Sequence, residues 1–226
     1  MQSLILVSNR GPVTFERRGR RPRTITRGGG GLVSALTGLI EHQPALWVSA
    51  AITPEDAVVA EEAGGGSFEL PGIGVDTRGR FVVLDPETYH AYYNVIANPM
   101  LWFIQHYLWD LGNEPIIDAD IHRAWNEGYV EVNRQMAAKA VEVARAAGKR
   151  PLILIHDYQL YLVPRMVRKE FPTAVIQLFV HVPWPTPQYW KVLPKEMRNA
   201  ILDGILGCDI VGFQSSLDVR NFLMTC

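Results

Sequence analysis

Two histidines and an aspartate follow apolar runs in the second half of the chain. His156 and Asp157 end the run PLILIHD, and His181 ends the run AVIQLFVH. A histidine can donate a hydrogen bond or move a proton near neutral pH, and a carboxylate can accept hydrogen bonds from sugar hydroxyls. Two histidines and a carboxylate can also hold a metal ion. Because successive side chains of a strand point to opposite faces, however, His156 and Asp157 are not expected to aim at one ion, and no metal is predicted.

Anion binding is indicated near the start of the chain. Arg10 follows the apolar run LILV, and the glycines from Gly28 to Gly31 precede a helical pattern. A guanidinium can bind a phosphate through two parallel hydrogen bonds, and glycines at a helix start let backbone N–H groups approach an anion. The structural alternatives are a surface salt bridge for Arg10 and a flexible loop for the glycines. The run is neither a P-loop nor a dinucleotide fingerprint, which disfavours a dehydrogenase.

The segment from Tyr92 to Asp110 is unusually aromatic, with the sequence YYNVIANPMLWFIQHYLWD. Aromatic side chains at helical spacing usually belong to a core. Tyrosine and tryptophan also carry a polar group beside a flat apolar face, which suits a sugar ring. The residues alone leave both interpretations open.

Composition excludes several classes of protein. The 226 residues carry a formal net charge of -1 and are 48% hydrophobic, which suits one sizeable core and gives no global field for nucleic acid. The arginines between Arg17 and Arg23 lie between two strand-like stretches, so a solvated hairpin is favoured over a nucleic-acid patch. The two cysteines lack metal-type spacing, and the apolar runs are too short for a signal sequence or a membrane span. A cytoplasmic protein is the resulting expectation.

The elements that must position these residues alternate along the chain. Strands are predicted at SLILVSNR, ALWVSA, RFVVLD, PLILIHD, AVIQLFVHV and CDIVGFQ, and helices at GGGGLVSALTGLIEH, PEDAVVAEEAG, Ile121–Gly148, YLVPRMVRKEF, KEMRNAILDGIL and SLDVRNFLM. Continuous apolar strands that alternate with helices predict an α/β fold, with a parallel sheet and helices on both faces. Ligands of such sheets bind beyond the carboxyl ends of the strands, where the polar residues above are found.

Six motifs together resemble the trehalose-6-phosphate synthase family. They are VSNRGPV, GGGGLVSAL, YYNVIANPMLW, IHDYQLYLVPRMVR, FVHVPWPTPQYWKVLP and CDIVGFQS, and they span the chain from Leu4 to about Phe222. Members of this family are retaining glycosyltransferases with two Rossmann domains, the GT-B type. They transfer glucose from UDP-glucose or GDP-glucose to glucose 6-phosphate, without a protein nucleophile. The resemblance therefore implies that residues 1–226 form the N-terminal, Rossmann-like, acceptor-side half of such an enzyme.

Four residues are implied by the resemblance to bind the acceptor. Arg10 is similar to the family's phosphate-binding arginine, and Tyr93 and Trp102 resemble the aromatic pair that closes on glucose 6-phosphate. Asp157, in the motif HDY, is similar to the residue that holds acceptor hydroxyls and takes part in catalysis. No cofactor is expected, no membrane or nucleic acid is an expected partner, and self-association into a homo-oligomer is left open.

The resemblance also implies three residues on the donor side of the site. Gly30 and Gly31 are similar to glycines whose backbone meets the donor diphosphate, and His181 to a catalytic histidine near the transferred sugar. The prolines after His181 each remove a backbone donor and disfavour helix before them, so a stiff loop should hold this histidine still. A rigidly held side chain can stabilise the charge that develops in the transition state without first having to reorientate.

Several features depart from the family pattern and leave alternatives open. Gln159 replaces a second histidine in IHDYQ, Trp47 and Ser49 cannot be matched firmly to a family motif, and no second Rossmann unit follows Cys226. We therefore expect the chain alone to be inactive in transfer. The alternatives are a glucosylglycerol-phosphate synthase domain, a pseudo-glycosyltransferase domain and a stand-alone sugar-phosphate-binding module.

Overall fold

Seven strands form the central sheet of the computed structural model, which describes residues 4–28, 31–41, 43–109, 116–148 and 150–226. The strands of this sheet are β1 (Leu4–Ser8), β4 (Ala45–Ala50), β5 (Phe68–Glu69), β6 (Arg78–Val82), β7 (Leu152–His156), β8 (Val175–Phe179) and β9 (Ile210–Gly212). Their spatial order is β5-β6-β4-β1-β7-β8-β9, and every neighbouring pair is parallel except β5 with β6. The predicted α/β fold with a parallel sheet is confirmed.

Helices cover the sheet on both faces. They are α1 (Gly31–Ile40), α2 (Pro54–Glu62), α3 (Pro86–His90), α4 (Phe103–Gln105), α5 (Ala119–Arg123), α6 (Glu131–Ala147), α7 (Val163–Glu170), α8 (Pro187–Trp190), α9 (Lys195–Ile205) and α10 (Ser216–Thr225). In the described part of the chain none of them combines the length and the apolar character needed to cross a bilayer.

The apolar core lies in two layers separated by the sheet. On β1 the side chains of Leu4 and Leu6 enter one layer, and those of Ile5 and Val7 enter the other. All five residues of this strand are buried. This explains why its sequence is a continuous apolar run and not an alternating one.

A hairpin projects beside the carboxyl end of β1. Its strands β2 (Val13–Glu16) and β3 (Thr24–Arg27) pair in antiparallel fashion, and Gly19 turns between them with φ +61°. Arg23 donates to Glu55 and Glu62 of α2, and the buried carboxylate of Asp56 accepts from the Phe15 amide. The arginine-rich stretch is therefore the exposed tip of a hairpin, as predicted.

Two helices contain π-helical segments. The first π-helical segment, Ala91–Trp102, joins α3 to α4, and the second, Ala124–Val130, joins α5 to α6. The two segments pack together so closely at Gly128 that a Cβ atom there would lie 2.6 Å from the Tyr92 nitrogen. The regular helix predicted over Ile121–Gly148 thus widens over the seven residues Ala124–Val130. It starts at the cap formed by Asp118 and ends before Gly148, as expected.

Candidate active site

The carboxyl ends of β1, β7 and β8 meet at one edge of the sheet. These three strands are adjacent and parallel, with Val7 paired to Ile155 and His156 paired to Phe179. Arg10, Asp157 and His181 follow them at that edge. The arrangement is the one on which the predicted site depends.

His156 and His181 form a hydrogen-bonded pair. The Nδ1 atom of His156 lies 3.1 Å from Nε2 of His181, so one ring donates and the other accepts. Burial lowers the pKa of both imidazoles, and the nearby His181 helps to bring that of His156 to about 3. Both rings are therefore neutral at pH 7, and their tautomers are coupled through the shared proton. The bond leaves the Nδ1 atom of His181 available to another partner.

Asp157 is held in an unusual backbone conformation. Its φ of +76° and ψ of 172° fall in a region that is nearly exclusive to glycine and costs a non-glycine residue about 1–3 kcal/mol. This turn directs the carboxylate to the backbone N–H of His181, which donates to Oδ1 at 3.2 Å. Burial raises the pKa of this carboxyl to about 6, although hydrogen bonds from the amides of Tyr158 and His181 oppose the rise.

His156 and Asp157 both contact His181, but they contact different parts of it. The ring of His156 bonds the His181 ring, whereas the carboxylate of Asp157 accepts from the His181 backbone amide. Strand β7 ends at His156, and Asp157 follows it with a positive φ. Among the described residues, no group of histidines, cysteines and carboxylates could hold a metal ion.

The proline-rich loop after His181 packs against the core and against α10. Trp184 and Trp190 are both buried, with ring centroids 4.5 Å apart. Helix α10 holds the loop, because Asp218 accepts from the Trp184 amide and Asn221 donates to the Trp184 carbonyl. These contacts tie the loop to the core, and the stiffness expected around the histidine stays a prediction.

Residues at the end of β1 fix the backbone at Arg10. The buried Trp47 indole donates to the Ser8 hydroxyl at 2.7 Å, and Ser8 in turn donates to the Arg10 carbonyl at 2.7 Å. The guanidinium itself is exposed, and it contacts the face of Tyr93 with 5.7 Å between Cζ and the ring centroid. Trp47, which could not be placed from sequence, therefore has a structural role beneath this arginine.

Asn9 ties the aromatic segment to the sheet. It donates to the Tyr89 hydroxyl and accepts from the Tyr92 hydroxyl. Tyr89 stacks on Tyr93 with centroids 5.6 Å apart and an interplanar angle of 13°. Tyr93 thus contacts both Tyr89 and Arg10.

Tyr158, which follows Asp157, reaches the aromatic segment with its hydroxyl. Its hydroxyl donates to Oδ1 of Asn98 at 2.9 Å, and burial raises its pKa. The same hydroxyl is close enough to Asp157, Tyr93 and Arg10 for their charges to influence that pKa. Tyr158 therefore links the aromatic segment to the end of β7.

Trp102 closes the first π-helical segment. It is half-buried, and the ring of His106 packs on it at a centroid distance of 4.1 Å. Tyr93 and Trp102 both pack against the core from its margin, and neither is fully buried. Their proposed contact with a ligand stays a prediction.

The glycine-rich stretch lies beside the same edge. The Gly28 amide donates to the Pro12 carbonyl at 2.8 Å, and α1 begins at Gly31. This places the start of α1 near the end of β1. Gly30, a predicted donor-binding residue, lies outside the described residues.

Four further residues of this site were assigned no role from the sequence. Asn9, Tyr89, Asn98 and Tyr158 contact one another or the predicted residues across the fold. Asn9 belongs to the polar end of β1 and Asn98 interrupts the aromatic segment, so both stand out as polar residues in the sequence. Tyr89 and Tyr158 became recognisable only once the elements were in place.

Comparison with known proteins identifies the relatives of this chain. The model of glycosyltransferase family 20 matches residues 2–226. A trehalose-6-phosphate synthase of Mycobacterium sp. (strain JLS) is 35% identical over 222 residues, which cover 97% of this chain and 41% of that protein. A validamine 7-phosphate valienyltransferase of Streptomyces hygroscopicus subsp. jinggangensis is 31% identical, over 97% of this chain and 44% of that protein.

A solved structure supports the same relationship. The N-terminal domain of a trehalose-6-phosphate phosphatase from Candida albicans superposes with a TM-score of 0.75 at 27% identity, covering 100% of this chain and 43% of that chain. The protein thus spans less than half the length of the relatives that it matches. The family match over nearly all of its residues, together with the shared fold, establishes that the chain belongs to glycosyltransferase family 20.

Proposed function

We propose that the chain is the acceptor-binding half of a retaining glycosyltransferase. In this proposal, glucose moves from UDP-glucose or GDP-glucose to glucose 6-phosphate and gives trehalose 6-phosphate. The observation that carries the proposal is the meeting of a cation, an aromatic face and a buried carboxyl at one sheet edge. Arg10 contacts Tyr93, and the Tyr158 hydroxyl lies within electrostatic reach of Arg10, Tyr93 and Asp157.

The acceptor is recognised through its charge and its ring. Arg10 binds the 6-phosphate, since a guanidinium offers a planar pair of donors and this side chain is exposed. Tyr93 and Trp102 cover the sugar ring. Tyr93 meets it with an orientation already fixed by Tyr89, which lowers the entropy lost on binding.

Asp157 holds the acceptor hydroxyls. The backbone amides of His181 and Tyr158 hold the carboxylate in place, and its remaining lone pairs accept hydrogen bonds from the acceptor. With a pKa of about 6, the carboxyl is mostly ionised at pH 7 and can accept a hydrogen bond from the attacking hydroxyl. The strained backbone fits such a role, because strain of this kind is concentrated at functional sites.

His181 supports the donor sugar. Its ring is neutral and orientated by His156, and Nδ1 can bond a hydroxyl of the transferred glucose. The N-terminus of α1 at Gly31 supplies partial positive charge to the leaving diphosphate. No side chain is assigned as a nucleophile, and the two substrates react on one face of the transferred ring.

A second candidate takes a different phosphorylated acceptor. The valienyltransferase relative acts, by its name, on validamine 7-phosphate, and Gln159 stands where a histidine was expected. The side chain that replaces the histidine is neutral at every pH, so the surroundings of the acceptor differ. Arg10 can bind the phosphate of either acceptor, so the two candidate functions differ in the ring that carries the phosphate.

A chimera tests the proposal. Residues 1–226 are joined to the part of the mycobacterial synthase that follows its matched region, and the product is assayed by mass spectrometry with UDP-glucose or GDP-glucose and glucose 6-phosphate. Trehalose 6-phosphate should form with the chimera, not with the chain alone, and Arg10→Ala should reduce the rate. A folded chimera that accepts only another phosphorylated polyol would overturn the assigned acceptor.

A further inference from the structure

The pitch of the first π-helical segment decides which side chains share a face. Trp102 lies nine positions after Tyr93. In an α-helix of 3.6 residues per turn this is about two and a half turns, and the two rings would point in opposite directions. A π-helix, whose amides bond the carbonyl five residues back, has about 4.4 residues per turn, so nine residues make about two turns. Tyr93 and Trp102 therefore lie on one face.

The burial pattern shows which side chains lie at the margin of the core. The buried residues run along one stripe, at Tyr92, Ile96, Ala97, Met100, Leu101, Ile104 and Gln105. Three half-buried residues each follow a member of that stripe by one position, namely Tyr93, Asn98 and Trp102. They form a second stripe along the margin of the core, with Asn98 between the two aromatic rings.

Asn98 is also orientated from outside the helix. The Tyr158 hydroxyl donates to its Oδ1 atom, so the Nδ2 amide group is turned to the other side. Because burial raises the pKa of Tyr158, this hydroxyl keeps its proton and remains a donor. Tyr158 also lies within electrostatic reach of Arg10, Tyr93 and Asp157, which brings Asn98 into the same cluster.

We propose that Asn98 is a ligand-contacting residue, which donates from Nδ2 to a ring hydroxyl of the phosphorylated sugar acceptor. The inference rests on the proposed function and deepens it, because it adds a hydrogen-bond donor between Tyr93 and Trp102. The aromatic rings can pack on the ring of any polyol, whereas an amide orientated by Tyr158 can bond a hydroxyl at only one position of the ring. Asn98 thereby contributes to the choice of acceptor.

Two features keep the segment at the required pitch. Pro99 lacks an amide hydrogen, and in an α-helix its ring would clash with the carbonyl four residues back, so it favours the wider helix. On the opposite side, Gly128 lets the second π-helical segment approach the backbone at Ala91 and Tyr92. Pro99 and Gly128 act as positioning residues, which do not themselves touch the ligand.

The test compares two identical substitutions on one helix. Asn98→Asp keeps the oxygen that accepts from Tyr158 but replaces the donor by a negative charge, whereas Asn94→Asp adds the same charge on the exposed side, where Asn94 contacts His90. Glucose 6-phosphate is titrated into each variant, and binding to folded molecules is followed by amide chemical shifts. Asn98→Asp should weaken binding at least tenfold and Asn94→Asp less than twofold. Tyr158→Phe, which removes the bond that orientates Asn98, should weaken it about threefold.

Each result is decisive. If the unaltered chain binds glucose 6-phosphate and the two aspartate variants have equal affinities, Asn98 has no contact with the ligand and the proposed function still stands. If Asn98→Asp does not fold, Tyr158→Phe decides, and an affinity within twofold of the unaltered chain overturns the inference. If the unaltered chain shows no saturable binding, the proposed function fails and the inference fails with it.

Discussion

Replacing Asp157 by asparagine should stabilise the fold at neutral pH. The carboxyl has a pKa of about 6 in the folded chain, against 3.8 for an ordinary aspartate. Well below pH 3.8 the group is protonated in both states. Between pH 3.8 and about 6 the unfolded chain has lost this proton while the folded chain keeps it, so stability that is present at low pH is lost as the pH rises through this interval. An asparagine keeps the Oδ1 acceptor for the His181 amide and has no charge to bury.

The magnitude follows from the two pKa values. One pKa unit corresponds to 1.36 kcal/mol, so a rise of roughly two units costs the wild-type chain about 3 kcal/mol above pH 7. Relative to the unaltered chain, Asp157→Asn should therefore gain about 3 kcal/mol of unfolding free energy between pH 4 and pH 7. Asparagine also tolerates positive φ better than most residues, so the backbone conformation is retained.

Urea denaturation at a series of pH values measures this gain. The difference between the variant and the unaltered chain cancels the titration of the histidines, which has the opposite sign. Asp209→Asn is a control with the reverse slope, because the Ile176 amide and Arg168 lower the pKa of Asp209. A stability difference for Asp157→Asn that is constant from pH 4 to pH 7, or that falls, would refute the reasoning.

Two further predictions concern the helix crossing and the histidine pair. Gly128→Ala should lower the unfolding free energy by about 2–4 kcal/mol, because its Cβ would meet backbone atoms of the first π-helical segment. Gly38→Ala, where a Cβ atom would meet open space on a helix, should raise the unfolding free energy by up to about 1 kcal/mol. Urea denaturation measures both variants. A Gly128→Ala variant more stable than Gly38→Ala would contradict the packing. His156 has a lowered pKa of about 3, so the unfolded chain takes up its proton first and stability is lost as the pH falls from about 6.5. Nitrogen-15 NMR at pH 5 should show a neutral His156 ring, and an imidazolium there would contradict the buried pair.

The sheet was predictable because buried parallel strands have a simple signature. The run ALWVSA coincides with β4, and the runs PLILIHD and AVIQLFVHV contain β7 and β8. The strand predicted at RFVVLD was displaced, since β6 begins two residues earlier, at Arg78. There the pairing with β4 includes polar positions that no apolar pattern marks.

The π-helical segments could not be predicted from periodicity. Trp125, Tyr129 and Val132 follow steps of four and three, which an α-helix satisfies equally well. Pro99 was visible, but proline inside a helix more often indicates a kink than a change of pitch. The widening depends on the close contact at Gly128, which joins segments far apart in sequence.

Part of the candidate site also could not be predicted from the sequence. Arg10, Asp157 and His181 were recognised as polar ends of strands, and the sheet brings those ends together. The positive φ of Asp157 was not foreseen, because a non-glycine residue carries no mark of such a conformation. The contact of Tyr158 with Asn98 depends on side-chain orientation that only the assembled fold supplies.

The most direct test of the central claim is a chemical-shift titration of the unaltered chain. We expect glucose 6-phosphate to bind with a dissociation constant near the millimolar range, equivalent to about -4 kcal/mol, because the chain spans less than half the length of the relatives that it matches. Glucose and UDP-glucose should bind more weakly, and the largest shifts should surround Arg10, Tyr93 and Asp157. If glucose binds as well as its phosphate, Arg10 is not a phosphate ligand. If UDP-glucose binds best, this edge of the sheet is not the acceptor site.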